Sequence, residues 1–244
     1  MTIPGVPSVA VVGAFRSGTN YLQYLLETNF RCRVVPNAHG WKHAPVAISL
    51  RRSRRIWDGR VPIIAVMKPP LAFLQSVFRY HLEVGRNIAA PKEWSAFLEA
   101  PFSIFNGRRG RTPELSFANP VEYWNCLYLN LTTLPEPAFR CRLIRYDRLT
   151  DAPEQQVEDL AKFAGLRRRS GPFRLPEGPL RRGPRAWTHR ITGRSTEVAP
   201  NPGEAARNRM PLPEFTETQR QSVLARVHPD LAALAGISAQ GAVA

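Results

Sequence analysis

The stretch "SVAVVGAFRSGTNYLQYLL", residues 8–26, constrains this chain more than any other. Ser8–Val12 is an apolar, mostly β-branched run ended by Gly13, the pattern of a short buried strand. From Thr19 to Asn29 the leucines 22, 25 and 26 fall on one face of a helix. Between strand and helix lies a turn framed by Gly13 and Gly18. In that context the backbone N–H groups of residues 16–20 point into the turn, and the positive end of the helix adds to their pull on an anion. The bland alternative is an ordinary strand-to-helix turn. The glycine spacing is that of the phosphate loop G-x-x-x-x-G-K-[ST], yet Thr19 and Asn20 stand in place of its last two residues. Arg16 supplies a charge from within the turn instead, and the Ser17 and Thr19 hydroxyls are further donors.

The remaining pattern alternates. "CRVV" (32–35), "VPIIAVM" (61–67) and "CRLIRY" (141–146) read as strands. Helices are expected after Pro69 and Pro70, over 93–99, over 119–134, over 152–165 and in "PEFTETQRQSVLARV". Residues 101–118 look like a loop. Such alternation predicts an α/β fold: three layers, a mainly parallel sheet with helices on both faces, and a P-loop-like strand–loop–helix at the N-terminus. We read residues 1–244 as one domain, with long basic loops at about 36–60 and 166–213 and a frayed tail from about Ile237. In parallel sheets ligands bind beyond the carboxyl ends of the strands, so the loops after Val12 and Met67 should share a rim.

Charge narrows the function. The formal net charge is +15, and two windows carry all of it: residues 31–60 have eight Lys/Arg against Asp58, and residues 165–194 have nine against Glu177. An anionic partner is expected, although charge runs also form plain solvated faces. The three cysteines, Cys32, Cys126 and Cys141, make no C-x-x-C pair, so neither a disulfide framework nor a zinc site is expected. Cys126 and Cys141 lie in apolar runs and read as core residues. The N-terminus lacks a basic region followed by an apolar core, and no apolar stretch has the length of a membrane span. A cytoplasmic location without membrane contact is the expectation.

The quoted residues resemble a known family. "FRSGTNYLQYLL" is similar to the 5′-phosphosulfate loop of sulfotransferases that use 3′-phosphoadenosine 5′-phosphosulfate, with a basic residue, S-G-T and an aromatic soon after. The resemblance implies that Arg16 contacts the transferring sulfuryl group and leaving phosphate. Ser17, Gly18, Thr19 and Asn20 would cradle the 5′-phosphate, and Tyr21 would lie near the adenine. The family binds the 3′-phosphate with an arginine after a middle strand and a serine eight residues later. Here Lys68 and Ser76 have that spacing, with lysine replacing arginine and Pro69 replacing an acidic or amide residue. "LIRYDRLTDAPEQQVEDLAKFAGL" and "HPDLAALAGI" are similar to the family's late segments. A late basic pair followed by glycine often serves the 3′-phosphate, which implicates Arg181, Arg182 and Gly183.

Sulfuryl transfer needs cations around charged oxygens and a base for the acceptor hydroxyl; no metal is expected. "NAHGWKHAP" (37–45) offers His39, Trp41, Lys42 and His43. A similar "GWKH" segment in bacterial-type members implies His43 as base, with His39 next; Glu27 and Glu83 stay open because other branches use glutamate. Lys42 is assigned to the sulfuryl oxygens or leaving group. The expected guest is 3′-phosphoadenosine 5′-phosphosulfate, and the acceptor a hydroxyl or amine on a carbohydrate or acidic small molecule. Two other classes remain. One is a P-loop kinase or nucleotide hydrolase, for which Asp147 after an apolar run is the magnesium candidate. The other is a non-enzymatic polyanion binder, although no nucleic-acid signature stands out.

Overall fold

The apolar run after Pro7 forms β1 (Ser8–Val12), and the leucine-striped segment after Gly18 forms α1 (Thr19–Asn29). The structure, a computed structural model, describes residues 6–35, 38–46, 61–85, 87–106, 115–136, 138–176 and 211–237. Most of the two basic loops and the tail beyond Ile237 lie outside the described residues, as do Arg181, Arg182 and Gly183.

After α1 come β2 (Phe30–Arg31), β3 (Arg33–Val34) and β4 (Ile63–Met67). Then follow α2 (Pro70–Glu83), β5 (Ile88–Ala89), α3 (Trp94–Glu99), β6 (Phe102–Ile104) and β7 (Leu115–Phe117). The described chain closes with α4 (Pro120–Thr132), β8 (Cys141–Arg145), α5 (Tyr146–Asp151), α6 (Pro153–Ala164), β9 (Arg167–Arg168), α7 (Glu217–Ala225) and α8 (Pro229–Ala232).

The central sheet runs β3-β1-β4-β8, with every pair parallel. Residues alternate across it, as strand geometry requires. Val9, Val11, Ile64, Val66 and Ile144 pack with the leucines of α1 and with Val157, Leu160 and Ala161 of α6. Ala10, Val12, Ile63, Ala65 and Met67 face α2 and α4 in a second core. All five residues of β4 are buried, which explains its unbroken apolar run. The expected α/β class and mainly parallel sheet are present, with helices around it. No helix among the described residues is long and apolar enough to cross a membrane.

Local chemistry sets the boundaries. Pro70, Pro120 and Pro153 occupy first helical positions, where the missing N–H costs nothing. The Asn119 side chain accepts from Glu122 N at 2.9 Å, and Thr216 with Gln219 forms a capping box.

Three differences from the sequence reading stand out. The expected loop at 101–118 contains β6 and β7, which with β5 form a small antiparallel sheet. Buried Phe102 and Ile104 flank Ser103, but three residues are too few to reveal a period of two. β2 and β9 pair antiparallel, Phe30 opposite Arg168. Cys126 and Cys141 are half-buried rather than full core residues; Cys32 is buried, and all three are free thiols.

One helix organises the polar interior. Buried Tyr128 on α4 donates to the Val66 carbonyl at 2.7 Å and accepts from the Ala14 N–H at 3.2 Å. Its hydroxyl thus ties the turn after β1 to β4. Tyr128→Phe leaves two buried backbone groups without that partner, each costing about 1–3 kcal/mol. We expect a loss of about 2 kcal/mol with an unchanged denaturant slope, measured by urea unfolding; wild-type stability would show that the turn is held otherwise.

Candidate functional site

The order of the parallel strands locates a crevice. The chain leaves β1 for β3 on one side and then crosses to β4 on the other, so its direction reverses between β1 and β4. Loops at the carboxyl ends of two such strands diverge and leave room for a ligand. The Gly13–Gly18 turn and Lys68 stand there, and Tyr146 follows β8 on the same rim.

The turn needs both glycines. A Cβ on Gly13 would lie 2.5 Å from the Val66 carbonyl oxygen and 2.6 Å from Ser17 Oγ. Gly18 has φ +97°, and a Cβ there would lie 2.3 Å from the Tyr146 ring. Ser17 is buried; its N–H and hydroxyl both donate to the Ala14 carbonyl, at 3.2 and 2.8 Å. Its hydroxyl therefore closes the turn instead of facing outward. α1 has no side-chain cap, and its first intrahelical bond is from Leu22 N to Gly18 O. The N–H groups of Thr19, Asn20 and Tyr21 precede that bond and are available at the positive end of the helix.

A lysine does reach this helix start, from elsewhere in the chain. Lys42 Nζ donates to Thr19 Oγ1 at 3.2 Å and to Asn20 Oδ1 at 3.0 Å. Its backbone is tied in too, since Gly13 N donates to Lys42 O at 3.0 Å. On the same segment, His43 Nδ1 lies 2.8 Å from the Gly13 carbonyl oxygen. A carbonyl only accepts, so Nδ1 carries the hydrogen and Nε2 is the basic nitrogen of the neutral ring. The His43 ring stacks on Phe15 at 4.4 Å and meets Trp41 edge-on at 5.7 Å. Tyr123 on α4 holds the segment by donating to His43 O at 2.9 Å.

Lys68 and Ser76 are brought together, Nζ to Oγ at 3.1 Å. Lys68 Nζ also lies 4.5 Å from the Tyr146 ring centroid, and its carbonyl accepts from Trp124 Nε1 at 2.9 Å. Burial, then the nearby Arg16 and Arg79 charges, lower the Lys68 pKa to about 8. None of these three cations has an acidic partner among the described residues. Arg16 is exposed, holds φ +62° and lies 5.7 Å from the Tyr80 ring centroid. Half-buried Tyr21 sits edge-on to Tyr146 at 6.5 Å, and burial raises its hydroxyl pKa.

The other candidates lie apart from this group. His39 is buried with Nε2 2.9 Å from Val61 O, at the opposite end of β4 from Lys68. Glu27 accepts from Val34 N at 3.1 Å near the far end of α1, and exposed Glu83 ends α2. The Asp147 carboxylate is bound by Arg145, which holds its pKa down. Tyr146 and the charge of Arg79 were missed by sequence reasoning. The signal for Tyr146 was its place directly after β8, as Gly13 follows β1 and Lys68 follows β4.

No protein-family model matches the chain, and no curated protein matches its sequence.

A depressed lysine pKa has a definite sign in stability. Between about pH 8 and the ordinary value of 10.5, the unfolded chain holds the Lys68 proton and the folded chain does not. Stability from this group therefore rises with pH across that window, and the burden is fully present below pH 8. The unfolding free energy of wild type minus that of Lys68→Met should climb from pH 8 to 10.5, measured by urea titration at several pH values. A flat difference would mean that Lys68 is not under this strain.

Proposed function

We propose that the chain is a sulfotransferase moving a sulfuryl group from 3′-phosphoadenosine 5′-phosphosulfate to a hydroxyl or amine acceptor. The observation that carries this reading is the Lys68–Ser76 pair at 3.1 Å, set beside the Gly13–Gly18 turn in a cluster of three cations that has no acid among the described residues. Two anionic groups on one nucleotide fit that layout. One lies at the helix start, the other at Lys68 and Ser76.

In this reading the Gly13–Gly18 turn is a phosphate-binding loop, and the N–H groups at the start of α1 receive the 5′-phosphate. Gly18, Thr19 and Asn20 form its floor, Ser17 shapes the turn from within, and Lys42 adds charge at Thr19 and Asn20. Arg16 meets the transferring group. Lys68 and Ser76 take the 3′-phosphate, with Arg79 adding charge. Tyr21, with Tyr146, provides an aromatic wall for the adenine. Arg181, Arg182 and Gly183 keep their assignment to the 3′-phosphate and lie outside the described residues.

For the chemistry, the acceptor oxygen attacks sulfur in line. The bond from sulfur to the 5′-phosphate oxygen breaks, and that oxygen leaves with its electron pair on 3′-phosphoadenosine 5′-phosphate. The acceptor proton passes to His43 Nε2, the nitrogen left basic by the bond at Nδ1. Cations at the loop stabilise charge gathering on the leaving oxygen. Free thiols at Cys32, Cys126 and Cys141 fit a reducing, cytoplasmic setting.

Thermal denaturation with three guests tests the reading: 3′-phosphoadenosine 5′-phosphate, ATP with magnesium, and a short DNA duplex. The bisphosphate should raise the melting temperature most, because a ligand bound only to the folded state adds stability by linkage. Stabilisation by ATP–magnesium without the bisphosphate would instead favour the kinase or hydrolase class. Arg16→Ala and Ser76→Ala should each weaken bisphosphate binding roughly tenfold or more, as expected for lost bonds to a charged group. His43→Ala should keep bisphosphate binding and lose at least about a hundredfold in transfer. Unchanged turnover would remove His43 as the base.

A further inference from the structure

The far end of α1 carries a second concave surface. A cavity of about 200 Å³ is lined by Thr28, Asn29, Arg31, Ser170 and Arg174, with Arg168 and Arg169 beside them. The helix has 11 residues, which places this cavity about 16 Å from the rim site. No acidic side chain among the described residues lines it.

The cavity is built rather than incidental. Asn29 is 4% exposed and works as a clasp: its Nδ2 donates to Leu25 O at 2.9 Å and to Arg174 O at 3.0 Å, and its Oδ1 accepts from Arg174 N at 2.6 Å. Arg169 N donates to Asn29 O at 2.8 Å, so both ends of the 169–174 loop are fastened to one residue. The β2–β9 ladder continues that attachment.

Helix carboxyl ends ordinarily repel anions. Here two of the carbonyls at this end are covered: Arg169 N donates to Asn29 O, and Arg169 Nε donates to Phe30 O at 3.0 Å. Arg168 is neutralised by Glu154, at 2.7 Å, and by Glu158. Arg31 and Arg174 have no acidic partner among the described residues, and the hydroxyls of Thr28 and Ser170 face no acceptor there. Two arginines without an acidic partner and two hydroxyl-bearing residues, all lining one hollow, make it rich in donors among the described residues. Its volume suits a single anionic head on a short carrier, being below the range of pockets for larger ligands.

We infer that the cavity between Asn29 and the 169–174 loop binds a small ligand bearing one tetrahedral oxyanion, a phosphate or sulfate ester. Guanidinium forks match both groups with paired hydrogen bonds. The site acts independently of the rim and does not rest on the reaction assigned there.

The test is calorimetric titration with inorganic phosphate and, separately, inorganic sulfate, to millimolar concentration at constant ionic strength. It is run on the full chain carrying Arg16→Ala and Ser76→Ala, so that the rim is silenced. Saturable binding should persist in that background. Adding Arg31→Ala and Arg174→Ala should weaken it at least tenfold, while Arg31→Lys with Arg174→Lys should retain part of it. Both arginines use only their backbones for described hydrogen bonds, and a circular dichroism melt checks that each variant folds. Tighter phosphate binding assigns a phosphate ester, and tighter sulfate binding a sulfate ester. The inference is overturned if the rim-silenced chain binds neither anion, or if the arginine-to-alanine chain binds with the same affinity. Failure of the rim reading alone leaves these results unchanged.

Discussion

Three aromatic side chains on α4 hold the rim together. Tyr123 reaches the His43 carbonyl, Trp124 the Lys68 carbonyl, and Tyr128 both Val66 and the turn at Ala14. Each ring fills the core between α4 and the sheet, and each polar tip ends on a different rim segment. These segments come from sequence positions far apart, and α4 adds its own bonds to those that join the 42–43 segment to the turn. A buried helix can fix their relative positions because a phenol or indole in the core has almost nowhere else to place its hydrogen. Burial also holds the Tyr123 and Tyr128 hydroxyls well above their usual pKa, which keeps them as neutral donors.

On that scaffold the electrostatics are unbalanced by design of the rim. Arg16 and Arg79 both repel the Lys68 charge, and the cluster contains no acid among the described residues to offset it. Lys42 brings a further positive charge to the start of α1, where it meets Thr19 and Asn20. Asp147 shows the contrast in α5: its carboxylate is bound by Arg145.

Much of this was readable from residue order, and the failures have physical causes. β1 and α1 begin and end where their apolar patterns do, and Lys68 meets Ser76, the pair that the resemblance put forward. Period and spacing are local properties, so local reading finds them. The β5–β6–β7 sheet escaped because its strands are two or three residues long and depend on tertiary pairing. The Lys42 contact with Thr19 spans 23 positions and leaves no periodic trace. Residue order marks the Ser17 hydroxyl as a donor but does not give its direction, which is back to the Ala14 carbonyl. Tyr146 belongs to no charge or spacing pattern, and only its place directly after β8 marks it.

Arg16 holds φ +62°, a left-handed conformation that disfavours any residue with a Cβ, by about 1–2 kcal/mol. Glycine would relieve that strain, and asparagine would reduce it. Gly18, two positions on, carries its own positive φ on a residue without a Cβ, so the turn bears this strain at position 16 alone. A guanidinium group at the mouth of the rim therefore comes at a cost to the fold of about the same size, which glycine at that position would remove.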